Sequence, residues 1–229
     1  MRVLWVVNHY MPDLAKKLDL SSPISGSWLV EASKALSEKH ELIIVCPSKQ
    51  ESGRIKIGKI TYYTIKMSFV DKFISPTKFL IKETKCLLEE IKPDIIHIHG
   101  SEFAFSLAFL QEKNIPVIMS IQGLISQIIK NGYNWAGIND KYFFQYLTPN
   151  NIMIYAPLVL KNIRDFFRAQ AEIKQFELCQ YRIGRTSWDE CQTFYYNPNS
   201  TYFFLQEQIR KPFYMLQHLE KKTTLNMMN

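Results

Sequence analysis

The chain has 229 residues, 47% of them apolar, enough to bury the core of one large α/β domain or of one domain with an extension. No stretch reaches the roughly 18 uninterrupted apolar residues of a membrane-spanning helix, and the apolar run that starts the chain is too short for a signal peptide. The net charge of +7 is compatible with anionic lipid, phosphorylated substrates or nucleic acid; nucleic acid has only the charge in its favour, and no such partner is expected.

Residues 2–7 read as a buried first strand, and residues 8–25 as a long loop carrying Pro12, Asp13, Lys16, Lys17 and Pro23. Gly26-Ser27 opens a helix over 28–39, with Leu29, Ala32, Ser33 and Leu36 on its inner face. Residues 41–46 form a second strand that stops at Pro47-Ser48 and completes a βαβ unit with a right-handed crossover. Residues 50–59, with Gly53 and Gly58, read as a polar turn, and 60–66 alternate as a strand. Ser75-Pro76 signals a helix start, and the pattern Phe79, Leu80, Glu83, Leu87, Leu88, Ile91 carries that helix to Pro93.

Residues 94–98 are a strand that runs into His99-Gly100, and the apolar run 103–110 is expected as its helix. Residues 116–121 are another strand, ending at Gln122-Gly123. From 124 to 151 the pattern is irregular, and loops of that length inside a domain are usually functional. Residues 152–180 read as a helix broken near Pro157, followed by a strand at 181–184, a helix at 187–195 and a last strand at 202–205. Strands alternating with helices, without internal repeats, argue a doubly wound, mostly parallel Rossmann-like sheet with helices on both faces.

In such sheets, ligands bind outside the carboxyl ends of the strands. Gly100, without a Cβ, allows a sharp turn or a close approach there, which brings His99, Ser101 and Glu102 to the rim. His97 and His99, two apart on a strand, share a face; His97 lies deeper and reads as a satisfied core histidine. With Glu102 they suggest a metal site only weakly, because no further ligand pattern is visible, and no metal is expected. Gln122 and Gly123 end the neighbouring strand, where Gln122 can hydrogen-bond a hydroxyl or a phosphate but cannot act as a base. Arg185 would join the same rim, facing a phosphate or carboxylate, or else making a surface salt bridge. Gly26-Ser27 sits at a helix start that favours an anion, although neither G-x-G-x-x-G nor a Walker pattern is met.

Lys161, Arg164 and Arg168 are spaced as one helix face beside Leu160, Ile163, Phe166 and Phe167. The plain reading is a solvated polar face over a buried apolar one; the alternative is a face for a membrane surface or a phosphate. Cys46, Cys86, Cys179 and Cys191 lack C-x-x-C spacing and read as buried thiols of a reducing compartment, hence a cytoplasmic protein.

Several stretches together resemble one family: Gly26-Ser27-Trp28 at a helix start, the run from Pro93 to Phe103, Ser120 to Leu124, Gly184 to Asp189, and Asn197-Pro198-Asn199. In order and spacing they are similar to the N-terminal half of family-4 retaining glycosyltransferases of the GT-B architecture, over about residues 1–214. The resemblance implies two Rossmann-like domains across a cleft, the N-terminal one receiving the acceptor and the C-terminal one holding a nucleotide sugar as co-substrate. It implies that Gly26 and Ser27 approach the donor phosphates and that His99, Glu102 and Gln122 line the acceptor side. Many members carry a His where this chain has Gln122. Residues 215–229 do not continue the family pattern, so the expectation is a divergent tail with the donor-binding domain absent, and little transfer activity from the isolated chain.

The leading reading is therefore an enzyme, or the N-terminal half of a truncated or split one, that transfers a sugar from a nucleotide-sugar donor to a glycan or lipid-linked acceptor. The alternative is a non-catalytic acceptor-binding module or partner subunit. An NAD-dependent oxidoreductase is disfavoured, since the glycine fingerprint after the first strand is absent. Peripheral contact with the inner face of a membrane is the alternative that the basic helix face motivates.

Overall fold

A computed structural model describes residues 1–21, 28–131 and 152–206. The expectations for Gly26, Ser27, most of the irregular segment and the tail after residue 214 lie outside them. Eight strands form one sheet in the order β3-β4-β2-β1-β5-β6-β7-β8. They are β1 (Arg2–Val7), β2 (Glu41–Ser48), β3 (Gly53–Ile57), β4 (Ile60–Lys66), β5 (Ile95–His99), β6 (Val117–Ser120), β7 (Tyr181–Gly184) and β8 (Thr201–Phe204). All registered pairs are parallel except β3 with β4.

Strand alternation sends side chains to two cores. Leu4, Val6, Ile43, Val45, Ile96 and Ile98 enter one, with Phe105, Phe109 and Phe176. Val3, Trp5, Val7, Leu42, Ile44 and Cys46 enter the other, with Leu14 and Leu29. Both faces of the central strands are thus covered, as a parallel sheet requires. Helices α1 (Pro12–Lys17), α2 (Trp28–Lys39), α3 (Phe69–Phe73), α4 (Lys78–Ile91), α5 (Ile125–Lys130), α6 (Ile152–Leu178) and α7 (Ser187–Tyr196) complete the domain.

Local chemistry explains the boundaries. Thr77 caps α4 by accepting from the Leu80 backbone N–H at 3.3 Å, and Lys92 ends that helix at φ 49° just before Pro93. Thr186 and Asp189 form a reciprocal capping box at the start of α7, as Ser68 and Asp71 do for α3.

The differences from the sequence reading have physical reasons. The long loop after β1 contains α1, which starts with Pro12 in its first turn and buries Leu14 and Ala15. Residues 53–57 are not a turn but an antiparallel edge strand, folded back on β4 through Gly58 at φ 57°, with Ile55 and Ile57 half-buried. Strand β2 runs through Pro47, where β4 is its registered neighbour and β1 has already ended. The apolar run after β5 is a 3-10 helix, Ala104–Gln111, buried from Ala104 to Leu110 because it has no polar face to offer solvent. In α4, Phe79 points outward, and Thr84 takes an inward place. Helix α6 runs unbroken through Pro157. Cys46 and Cys179 are buried, but Cys86 and Cys191 are exposed.

Candidate functional site

The sheet reverses its winding between β1 and β5, and the residues that leave these two strands meet at their carboxyl ends. A cavity of about 220 Å³ opens there, lined by Asn8, His9, Trp28, His99, Glu102, Gln122 and Arg168 among others. Gly100 makes the turn at φ 92°, a conformation that L side chains rarely adopt. A Cβ at this position would also overlap the Glu102 carboxylate and come within 2.7 Å of Asn8 Nδ2. The glycine is therefore required by both backbone and space.

Glu102 is held from two sides. Asn8 Nδ2 donates to its Oε2 at 2.8 Å, and Arg168 Nε donates to its backbone carbonyl at 2.8 Å. Burial pushes its carboxyl up to about 7, aided by the nearby Glu172 and opposed by hydrogen bonds and Arg168. Near neutral pH this group both donates and accepts, which suits a partner bearing hydroxyls. His9 packs edge-on to Phe103 at 5.9 Å; burial first, then Lys72 and Arg168, holds its imidazole below the ordinary range. Arg168 lies over the Phe103 ring at 4.8 Å.

His97 and His99 do share a face, with ring centroids 3.8 Å apart and both edges toward Trp5. His97 Nε2 is 2.7 Å from Ser120 Oγ, and burial lowers it to about 4, so it is a neutral, satisfied ring. His99 is also held neutral by burial, with His97 adding to the effect. Its Nε2 is buried with no hydrogen-bond partner among the described residues, although the side chain borders the cavity. A buried unpaired nitrogen at a cavity wall is a position for a ligand hydroxyl. Among the described residues, no three His, Cys, Asp or Glu side chains come together as metal ligands.

Gln122 borders the cavity; Gly123 lies one residue away, in a neighbouring depression, and its carbonyl accepts from Ser101 Oγ at 3.4 Å. Arg185 buttresses this turn: its Nη2 donates to the Gln122 carbonyl at 3.1 Å, while its backbone N–H donates to Asp189 at 2.8 Å. Sequence reasoning missed Asn8 and His9, and it placed Arg168 on a basic helix face rather than at the rim. The first two were findable, because they directly follow the carboxyl end of β1.

Helix α6 is oriented opposite to the plain reading. Leu160, Ile163, Phe166 and Phe167 are exposed, whereas Asp165 and Arg168 are buried. Arg168, Arg164 and Lys161 approach Asp165 at 2.9, 3.1 and 3.8 Å, and both arginines also lie over the Phe73 ring. The inward side carries Asp165 with its cations, Arg168 over the Phe73 and Phe103 rings, and the buried Ala169, Ala171 and Phe176. No helix among the described residues is long and apolar enough to cross a membrane.

Comparison with known proteins fits this architecture. The family described as Glycosyltransferase Family 4 matches residues 26–169, and the chain belongs to that family. Among solved structures it is similar to a sucrose-phosphate synthase from Thermosynechococcus elongatus, with a TM-score of 0.52 and 10% identity, over 89% of this chain and 47% of that one. It is also similar to an α,α-trehalose-phosphate synthase (UDP-forming) from Burkholderia vietnamiensis, with a TM-score of 0.47 and 12% identity, over 95% of this chain and 54% of that one. The chain spans about half the length of each. The sheet is a Rossmann-like domain of the GT-B type. No curated protein sequence matches it significantly.

Proposed function

We propose that this domain is the acceptor side of a family-4 glycosyltransferase. Glu102, His99 and Gln122 engage the hydroxyls of a glycan or lipid-linked sugar, with Gly123 and Arg185 shaping the turn that presents Gln122. A nucleotide sugar is the co-substrate, held on a second domain, and Gly26 and Ser27 approach its phosphates. The observation that carries the reading is the meeting, at the reversal point of the sheet, of a His99 Nε2 without a partner among the described residues and a Glu102 carboxyl pushed up to about 7 around one cavity.

Trp28 lines that cavity, so tryptophan fluorescence reports on its occupation. Titration with a panel of oligosaccharides and lipid-linked sugars is expected to give saturable changes. His99→Ala and Glu102→Gln should weaken them by about tenfold or more, the effect of one lost buried hydrogen bond. Changes identical in wild type and both variants, or none with any saccharide, would overturn the reading. Sugar transfer on addition of a donor domain and a nucleotide sugar completes the test; binding without transfer assigns a non-catalytic acceptor module instead.

Peripheral contact of α6 with a cytoplasmic membrane face is part of the proposal. It is supported by the exposed Leu160, Ile163, Phe166 and Phe167 beside half-buried Lys161 and Arg164. Failure to float with anionic liposomes at low salt would remove it.

A further inference from the structure

Beside the rim cavity lies a second, larger one of about 700 Å³, and the two share Asn8, His9 and Tyr10 in their walls. Its far side is built by Lys49, after β2, and by Phe69, Lys72 and Phe73 of α3. Lys72 holds its ammonium 4.7 Å from the centroid of Phe103 and 5.5 Å from that of Phe73. Among the described residues no carboxylate pairs with it.

The nearby acids are occupied. Asp71 is turned away into its capping box, where it accepts from the Ser68 backbone, the Ser68 hydroxyl and the Thr77 backbone at 3.0, 2.6 and 2.7 Å. Asp165 is held by three cations of its own. Glu102, on the shared side, resists ionisation. Burial first, then the positive charges of Lys49, Arg168 and Arg164, lower the Lys72 ammonium below the ordinary lysine range. Lys49 shares the wall of this cavity with it, and two cations lining one cavity, with arginines close behind, are stabilised when an anion enters.

We propose that the larger cavity is an anion seat, in which Lys72 and Lys49 bind a phosphate, diphosphate or carboxylate carried by the acceptor while its sugar hydroxyls meet Glu102 and His99. The acceptor is thus an acidic saccharide or a lipid-diphosphate-linked sugar, not a neutral glycan. This deepens the acceptor-side reading and rests on it for the identity of the ligand, but the seat itself is separately testable.

The test is titration of wild type, Lys72→Gln, Lys72→Arg, Lys59→Gln and Glu102→Gln with inorganic phosphate, inorganic pyrophosphate, glucuronate and geranyl diphosphate, read by calorimetry at low salt. Pyrophosphate is expected to bind saturably and to lose about tenfold or more in Lys72→Gln. Lys72→Arg should retain the binding. Lys59, paired with Glu38 ahead of β4 at the other end of the sheet, serves as the control, and its variant should bind as wild type. Tighter binding of geranyl diphosphate than of pyrophosphate assigns a lipid-linked source, and the strongest response to glucuronate assigns an acidic saccharide. No saturable binding of any anion, or an equal loss in Lys59→Gln, overturns the proposal. Glu102→Gln should leave pyrophosphate binding intact. An intact pyrophosphate site with no saccharide response would therefore sink the rim reading alone, whereas loss of Lys72 sensitivity with saccharide binding intact would sink the anion seat alone.

Discussion

Glu102 and His97 illustrate how two neighbouring residues impose opposite pH dependences. The Glu102 carboxyl is raised from 4.5 to about 7, so the folded state binds more protons than the unfolded chain between these values. Its stabilising contribution is complete below about pH 4.5 and is lost as pH rises through about 7. The His97 imidazole is lowered from 6.5 to about 4, so its contribution is present above pH 6.5 and lost as pH falls through about 4. The two slopes oppose each other over most of the same window, and wild-type stability conceals both. Replacing Glu102 by Gln exposes one of them: the variant's urea midpoint should gain on wild type steadily from about pH 5 to 7 and then run parallel. A difference that is constant with pH would show that Glu102 ionises freely. The histidines' shared face was legible from their spacing alone, and so was the glycine turn. The unpaired state of His99 Nε2 was not, because it depends on β1 and β6 standing on either side of β5.

At the scale of the element, α6 shows where periodicity misleads. Its apolar residues have helical spacing and would ordinarily be placed inward. What decides otherwise is a set of long-range partners: Arg168 reaches the Glu102 carbonyl, Glu172 accepts from Ser101 and Ser126, and Gln175 donates to the carbonyls of Ser101 and Phe103. The orientation has a direct test in paired variants. Ile163→Lys should change unfolding free energy by less than about 0.5 kcal/mol, as for an exposed site. Asp165→Ala should cost about 3–5 kcal/mol by leaving the buried Arg168 without its carboxylate. Comparable losses from the two in urea denaturation would contradict the inward polar face. Arg182 on β7 follows the same logic. It is fully buried, with no carboxylate paired to it among the described residues, and it donates to the carbonyls of Phe176 and Thr193 in the last turns of α6 and α7. An arginine in the middle of a short strand gave no hint of that role.

For the whole molecule, Glu172 joins the parts that make the rim. Its two oxygens accept from Ser101 Oγ at 2.8 Å and from the Ser126 backbone at 2.7 Å, so α6, the turn after β5 and the start of α5 are tied by one carboxylate. Glu172→Ala leaves the Ser126 backbone N–H without its partner and the Ser101 hydroxyl with only the longer bond to the Gly123 carbonyl, and should lower unfolding free energy by about 1–3 kcal/mol. A loss below about 0.5 kcal/mol in equilibrium denaturation would mean that packing alone holds the three segments together.

By itself the sequence determined the alternation of the central strands with their helices, the burial of β1, a sheet with helices on both faces, and the placing of His99, Gly100, Glu102 and Gln122 at strand ends. All of these follow from periods of two and 3.6 residues and from glycine and proline chemistry, which act over a few neighbours. The edge strand β3, the 3-10 form of the run after β5 and the inward charges of α6 were decided only by tertiary structure. So was the cavity that gathers Asn8, Glu102 and Arg168. Their energies come from pairings between residues far apart in sequence, and no local pattern encodes which of two available faces such a pairing will choose.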